Sequence, residues 1–521
     1  MKKINILITS FIIIFTISGC NLNNSKEESV LKLANSRIYS ADIIGTPWKN
    51  QILATSLMYR SLFMTDIRDM TESNDLVEYY EVSEDMTRYS FKIREDIVWS
   101  DGKALSLNDI IFSIKGILLA DNVNGIYQTA FSNIVGAEEF INLNSIDYNL
   151  EGLSKEDGML NINLKRPVSN IIQVLAQFAI LPEHCFIEAN IQEIDKDDYW
   201  KNPVVSGVFK VEEMVANDYI KLVFNDKYVG KEPKIKVLML YENYEEEELD
   251  LYSTTNITEI LEYRALSNMK EYSINSLFYR YLVFNINKDG EIDEIINDIR
   301  FREAIKYAIN RKEIINEIYY GAGTIINTGI LIDDYELYPN EEIYYNQEKA
   351  KELLVEMDFD FNKEINIYSY YEDAVSKLFT DKLKKQLEEI GLNINVVESS
   401  DKDLYAFNDY DISLKGISAF DYIDWYTEYL SGNAFNINLI GGDILFDDLV
   451  NGLSSTSSLE EKINILDELQ ILESEILYKL PLFTLPHMVY INEDRLLIPE
   501  GIEFGNTWYK YDMEFEEWEI K

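Results

Sequence analysis

The stretch Tyr89–Ile114, YSFKIREDIVWSDGKALSLNDIIFSI, decides how the rest of the chain is read. Its first residues alternate: Tyr89, Phe91 and Ile93 point one way, Ser90, Lys92 and Arg94 the other. That period of two belongs to a half-buried strand. Ser100-Asp101-Gly102-Lys103 follows as a turn, with Asp and Gly in the order that favours a reversal. Ser106 then stands as a helix N-cap, and Asp109 three residues on completes a capping box. Ile110, Ile111, Ile114, Ile117 and Leu118 give that helix one apolar face. The unit is a strand, a turn and a capped helix.

Composition bounds what this unit belongs to. At 521 residues the chain exceeds one ordinary domain, and 47% of it is apolar, so two or three lobes with sizeable cores are expected. The formal charge of −45 excludes a general nucleic-acid binder, which needs a basic surface against phosphate. It also argues against docking on anionic lipid by charge. A highly soluble surface accounts for the excess acid, because selection of cationic ligands would need that acid concentrated in a cleft. With only His184 and His487, a multi-His metal site is not available. No P-loop, GxSxG, HExxH or CxxC pair is present, so no catalytic residue, metal or cofactor is assigned. In so acidic a chain, neighbouring carboxylates carry no weight as a paired-acid site.

The N-terminus carries an address. Lys2 and Lys3 precede an apolar run from Ile4 to Phe15, then Ile17-Ser18-Gly19-Cys20. A charged start and a short apolar core make residues 1–19 a secretory signal, too short for a comfortable spanning helix. The closing Ile-Ser-Gly-Cys resembles a lipobox, which implies lipidation at Cys20 and a polar lipidated tether over 20–28. With Cys20 so used, Cys185 is alone and no intramolecular disulfide is available. His184 and Cys185 are adjacent, and adjacent side chains seldom aim at one point, which favours a structural role over a nucleophile.

Phe91, Arg94, Ser100, Asp101, Gly102, Asp109, Phe112 and Ser113 stand in register with the signature of the family 5 extracellular solute-binding proteins. This is the oligopeptide- and dipeptide-binding class of ABC importers. Further islands resemble the same family in order. They include Leu160–Pro167, Asn202–Lys210, Ile299–Arg311, Gln347–Met357, Asp421-Tyr422-Ile423-Asp424, Phe446-Asp447-Asp448-Leu449 and Leu480-Pro481-Leu482-Phe483. The resemblance spans roughly residues 30 to 490.

It implies an α/β fold of the two-lobed periplasmic-binding-protein type (class II, large peptide-binding kind) with an inserted third subdomain. Lobe I would comprise residues 29–52, 200–278 and 487–521, with the inserted subdomain at 53–199 and lobe II at 279–486. Hinge strands are expected near Tyr281-Leu282-Val283 and Phe483-Thr484-Leu485. Ile52–Phe63 would form the first helix, Ile299–Arg311 a single core helix, and Gly207 the place where a left-handed backbone costs least.

The implied function is capture of oligopeptides by hinge closure, outside the cell, without chemistry. The partners would be an ABC permease with its ATPase subunits, and the membrane through the lipid anchor only. The protein would be a monomer on the outer face of the cytoplasmic membrane. In peptide-binding relatives an Asp in a Gly-Trp-x-x-Asp loop holds the ligand's α-ammonium. Here the loop contains Gly416, Ile417, Ser418 and, at its end, Trp425, with Ile417 in place of the Trp and one extra residue before Asp421. Asp421 and Asp424 are the two candidate anchors. A non-peptide solute such as a nickel chelate, oligosaccharide or haem, a peptide-sensing receptor, and an exported hydrolase are the alternatives.

Overall fold

The computed structural model describes residues 29–34, 45–49, 53–66, 71–121, 123–168, 170–242, 249–274, 278–288, 290–329, 345–398, 410–418, 422–456, 459–501 and 515–521. The strand Arg88–Ile93 buries Tyr89, Phe91 and Ile93, as its alternation requires. It lies between Val77–Val82 and Met159–Asn163, and Leu153–Glu156 completes a four-stranded sheet. Gly102 turns the chain at φ +87° and donates its N–H to the Trp99 carbonyl at 2.8 Å. The helix Leu107–Leu119 starts on Ser106 with both halves of the capping box formed.

The helix buries more than one stripe. Ile111 is half-buried, whereas Asp109, Phe112, Ser113 and Gly116 are buried. A Cβ on Gly116 would come within 2.5 Å of the Trp48 ring, so Gly is what lets the two pack. The Ser113 hydroxyl donates to the Asp109 carbonyl at 2.7 Å and accepts the Leu181 N–H at 2.8 Å. A second layer thus covers the helix, with polar atoms matched pair by pair.

Two larger sheets organise the rest. The first has seven strands, in the order Met269–Ile274, His487–Asn492, Leu251–Thr254, Val30–Ala34, Val237–Tyr241, Tyr219–Phe224, Phe209–Val215. The second has six: Thr324–Ile325, Lys479–Thr484, Phe278–Phe284, Ile412–Ser418, Glu364–Ser369, Asn393–Glu398. One apolar core joins the seven-stranded sheet to the four-stranded one, with Leu31, Trp48, Phe91, Trp99, Trp200 and Trp518 in a single cluster. The six-stranded sheet has its own core, drawn from residues 279 to 485. The molecule is therefore two-lobed. Burying each large apolar side chain contributes about 1.5–3 kcal/mol, and Cys185 is a free thiol.

The chain passes between the sheets twice, side by side. Ile274 pairs with His487 at the end of the first sheet, and Tyr279 with Thr484 at the end of the second. The Leu485 N–H donates to the Phe278 carbonyl at 3.2 Å across the two passages. The crossings thus lie between Ile274 and Phe278 and between Thr484 and His487. Tyr281–Val283, expected at the hinge, are inside the second sheet, paired on both sides. Beside the crossings Ala322 packs with Tyr252, Tyr263 and Tyr490, and Arg264 Nη1 donates to the Tyr320 carbonyl at 3.0 Å.

Three local expectations change. The first helix is only Leu53–Met58, because Phe63–Asp66 is claimed as a strand by Thr71–Asn74. Ile299–Arg311 divides into Ile299–Ala308 and Arg311–Ile318, since the Asn310 side chain caps the second helix on the Glu313 N–H. Gly207 has no positive φ; its need is proximity, as a Cβ there would sit 2.5 Å from the Leu57 carbonyl oxygen. Among the described residues no helix is long and apolar enough to cross a membrane.

Candidate ligand site at the edge of the six-stranded sheet

Glu364–Ser369, Asn393–Glu398 and Ile412–Ser418 run parallel, and open sheets of this kind place ligands outside the carboxyl ends of their strands. Here that end is the edge where the chain crosses to the other sheet, because Ser418 pairs with Phe278. Tyr370 and Tyr371 leave this edge with their rings stacked at 4.4 Å and their hydroxyls 3.1 Å apart. Burial pushes the Tyr370 hydroxyl up, so it stays neutral and able to donate.

Arg280 pairs with Gly416 two residues in from the edge. Its guanidinium lies 4.4 Å from the Tyr371 ring centroid and 5.0 Å from that of Phe278. A Cβ on Gly416 would meet Arg280 Nη1 and the Tyr371 hydroxyl at 2.8 Å each, so the glycine makes room for both. Arg280 is 9% exposed, yet its Nε and Nη1 have no hydrogen-bond partner. Its charge reaches Asp373, the N-cap of Ala374–Glu389. Burial works to raise that carboxyl, but hydrogen bonds from Ser376 and the Arg280 charge outweigh it and hold it low.

The other face of the same strands holds a closed polar cluster. Trp425 is fully buried against Tyr279 and Tyr281, with centroids 4.9 and 4.8 Å away. Glu473 accepts from Trp425 Nε1, from the Tyr426 and Tyr429 hydroxyls at 3.0 and 2.8 Å, and from the Gly329 N–H at 3.0 Å. Burial raises its carboxyl, with those donors opposing. Beside it Lys479, wholly buried, pairs with Glu428 at 2.6 Å and donates to the Trp425 carbonyl at 2.9 Å. This cluster fixes the base of the segment that follows Ile412–Ser418.

The family model for bacterial extracellular solute-binding proteins, family 5 (middle region), matches residues 72–436. The chain belongs to this family. Family 5 proteins are the substrate-binding components of transporters, not enzymes. Among curated members, the chain is 25% identical over 317 residues to the dipeptide-binding protein of Escherichia coli, covering 56% of each chain. It is 23% identical over 387 residues to the oligopeptide-binding protein AppA of Bacillus subtilis, covering 68% of this chain and 66% of that one. The chain thus spans less than two thirds of the length of these relatives. The solved structure of that AppA with a nonapeptide superposes with a TM-score of 0.65 at 19% identity, covering 94% of this chain and 99% of that one. NikZ of Campylobacter jejuni, solved with Ni(L-His), gives 0.64 at 19% identity over the same shares.

The family 5 loop expected to hold the ligand falls partly within the described residues. Gly416 and Ile417 are the half-buried end of Ile412–Ser418, and Ser418 is its last residue. Asp424 lies on a short helix, Tyr422–Thr427, where a loop was expected; Trp425 and Tyr426, followed by Tyr429, bring their polar atoms to Glu473. Trp425 is the buried foot of the segment, beneath its surface. Asp421 and Cys20 lie outside the described residues. Reading the sequence alone missed Arg280. The signal was there: one charged residue within FYRYLVF, a strand otherwise aromatic and aliphatic. Burial pushes the Cys185 thiol up to about 11, away from the thiolate a nucleophile needs, and the neighbouring His184 ring is 2.9 Å from Asp101 Oδ2.

Proposed function

We propose that this family 5 protein captures oligopeptides between its two lobes and delivers them to an ABC permease with its ATPase subunits. The observation that carries this reading is the pair of adjacent crossings joining two separate cores, with the site edge of the second sheet beside them. Two side-by-side crossings form a hinge, and a ligand that touches both lobes favours the closed state by its differential affinity. A receptor for many sequences holds the peptide main chain, and hydrated pockets tolerate varied side chains. Asp421 anchors the ligand's α-ammonium in this reading, with Asp424 the competing anchor and Gly416, Ile417 and Ser418 the adjoining loop.

The lobe boundaries we favour are 29–52, 200–278 and 487–521 for lobe I, 53–199 for the inserted subdomain and 279–486 for lobe II. Sheet membership supports that division, and core membership supports setting 279–486 apart from the rest. Residues 1–19 act as a signal, and Cys20 carries a diacylglyceryl anchor holding a monomer at the outer face of the cytoplasmic membrane. Two acyl chains suffice for stable anchoring where one is marginal.

Mass spectrometry of ligand released from the natively purified protein tests the reading, and peptides are the expected cargo. AppA and NikZ match the fold equally well, so a nickel–amino-acid complex is the second reading. Recovery of that complex without peptide, or turnover of added peptide by the pure protein, would overturn peptide capture.

A further inference from the structure

We propose that Arg280 is the residue that takes a carboxylate of the bound ligand. The proposal rests on peptide capture and deepens it by giving the ligand's anionic group a partner. A buried cation is normally paired or fully hydrogen-bonded, and each exception calls for an explanation. Arg280 is 9% exposed, and among the described residues it makes no ion pair. Its Nε and Nη1 have no hydrogen-bond partner. Compare Arg302, also buried, which donates from Nε to the Ile476 carbonyl and from Nη1 to the Ile296 carbonyl. Arg311 donates from Nη1 to the Ile326 carbonyl at 2.7 Å and to Asn327 Oδ1 at 3.1 Å. Arg280 differs from both in that neither its Nε nor its Nη1 meets a protein acceptor.

Ring stacking suits an anion site. The rings hold the guanidinium carbon while Nε and Nη1, donors of the kind that match a carboxylate, are left without a protein acceptor. Tyr371 and Phe278 supply those rings, and Gly416 leaves the space in which the group lies. The position is two residue pairs from the edge at which strands of this sheet type meet ligand. Neighbouring Tyr370 and Tyr371 add hydroxyls that can donate to the same anion. A carboxylate brought there satisfies donors that the free protein leaves unmatched.

The carboxylate can be a peptide C-terminus or an acidic side chain, and titration calorimetry separates the two. The probes are tetraalanine, tetraalanine amide and Ala-Glu-Ala-Ala amide. Truncating one partner of a buried, hydrogen-bonded charge pair typically lowers affinity by about 30-fold or more, so the wild type should prefer tetraalanine to its amide by that factor. Arg280→Met should abolish the preference. If instead tetraalanine binds no better than its amide and the Glu-containing amide binds tighter than both, the side chain is the source. The melting temperature of the unliganded Arg280→Met protein should be unchanged or higher. A clear fall would mean that the guanidinium serves the fold, and would overturn the proposal. Equal binding of acid and both amides by the wild type would overturn it too, while leaving peptide capture intact. If none of the probes binds, peptide capture fails for them, and the Arg280 Nε resonance, assigned by its loss in Arg280→Met, decides. Titrated with succinate, a saturable shift supports the anion site and no shift overturns it.

Discussion

Asp109 beside the four-stranded sheet and Arg280 in the six-stranded one are both charged and buried, at 3% and 9% exposure. The Asp109 carboxylate accepts the Ser106 N–H at 2.8 Å, the Ser106 hydroxyl at 3.1 Å and the Glu183 N–H at 2.9 Å. Arg280 leaves Nε and Nη1 unmatched. The first region is finished by the protein itself, and the second, on the proposal above, by the ligand. The Glu473 cluster, on the opposite face of the strands that carry Arg280, belongs with Asp109.

The comparison breaks most readily at Glu473. Glu473→Ala orphans Trp425 Nε1, two tyrosine hydroxyls and the Gly329 N–H. Each orphaned buried group costs about 1–3 kcal/mol, so a loss of about 4 kcal/mol or more is expected in urea unfolding. A loss below about 1 kcal/mol would show that the cluster is not a structural unit. The pH dependence adds a sign. Burial raises the Glu473 carboxyl, so the folded state keeps that proton to higher pH than the unfolded chain. Stability from this group is therefore highest below the unfolded carboxylate value and falls as pH rises through the raised one. Against Glu473→Gln, which does not titrate, the wild type should lose ground over that window.

Asp109→Ala should come next. It orphans the N–H groups of Ser106 and Glu183 and removes half of the capping box, at about 2–3 kcal/mol together. Ligand affinity should be unchanged in conditions where the variant is folded; a selective loss of affinity would move the signature stretch into the site.

Cys185 should show the smallest structural effect and a clear chemical one. With its thiol at about 11 instead of 9.0, roughly a hundredfold less thiolate is present near neutral pH. Iodoacetamide should label the native protein far more slowly than the urea-unfolded one, read by intact mass. Equal rates would show a thiol that burial does not protect.

Much of the architecture was legible because it follows periodicity and caps. The alternation of Tyr89, Phe91 and Ile93 and the Ser106–Asp109 box need only local rules. The failures came where tertiary partners overrule local pattern. Phe63 has helical spacing with its predecessors but is taken by a strand, and Gly207 looked like a turn residue but serves a 2.5 Å approach of backbone. The site was less legible for the same reason. That Arg280 lacks a partner depends on Tyr371 and Gly416, 91 and 136 positions away, as subtraction of their numbers shows.

Small-angle scattering of the full chain, free and saturated with a peptide whose binding calorimetry has confirmed, tests capture by closure most directly. The account predicts a smaller radius of gyration with peptide, because a ligand that touches both lobes draws them together about the two crossings. An unchanged radius at proven saturation would contradict it.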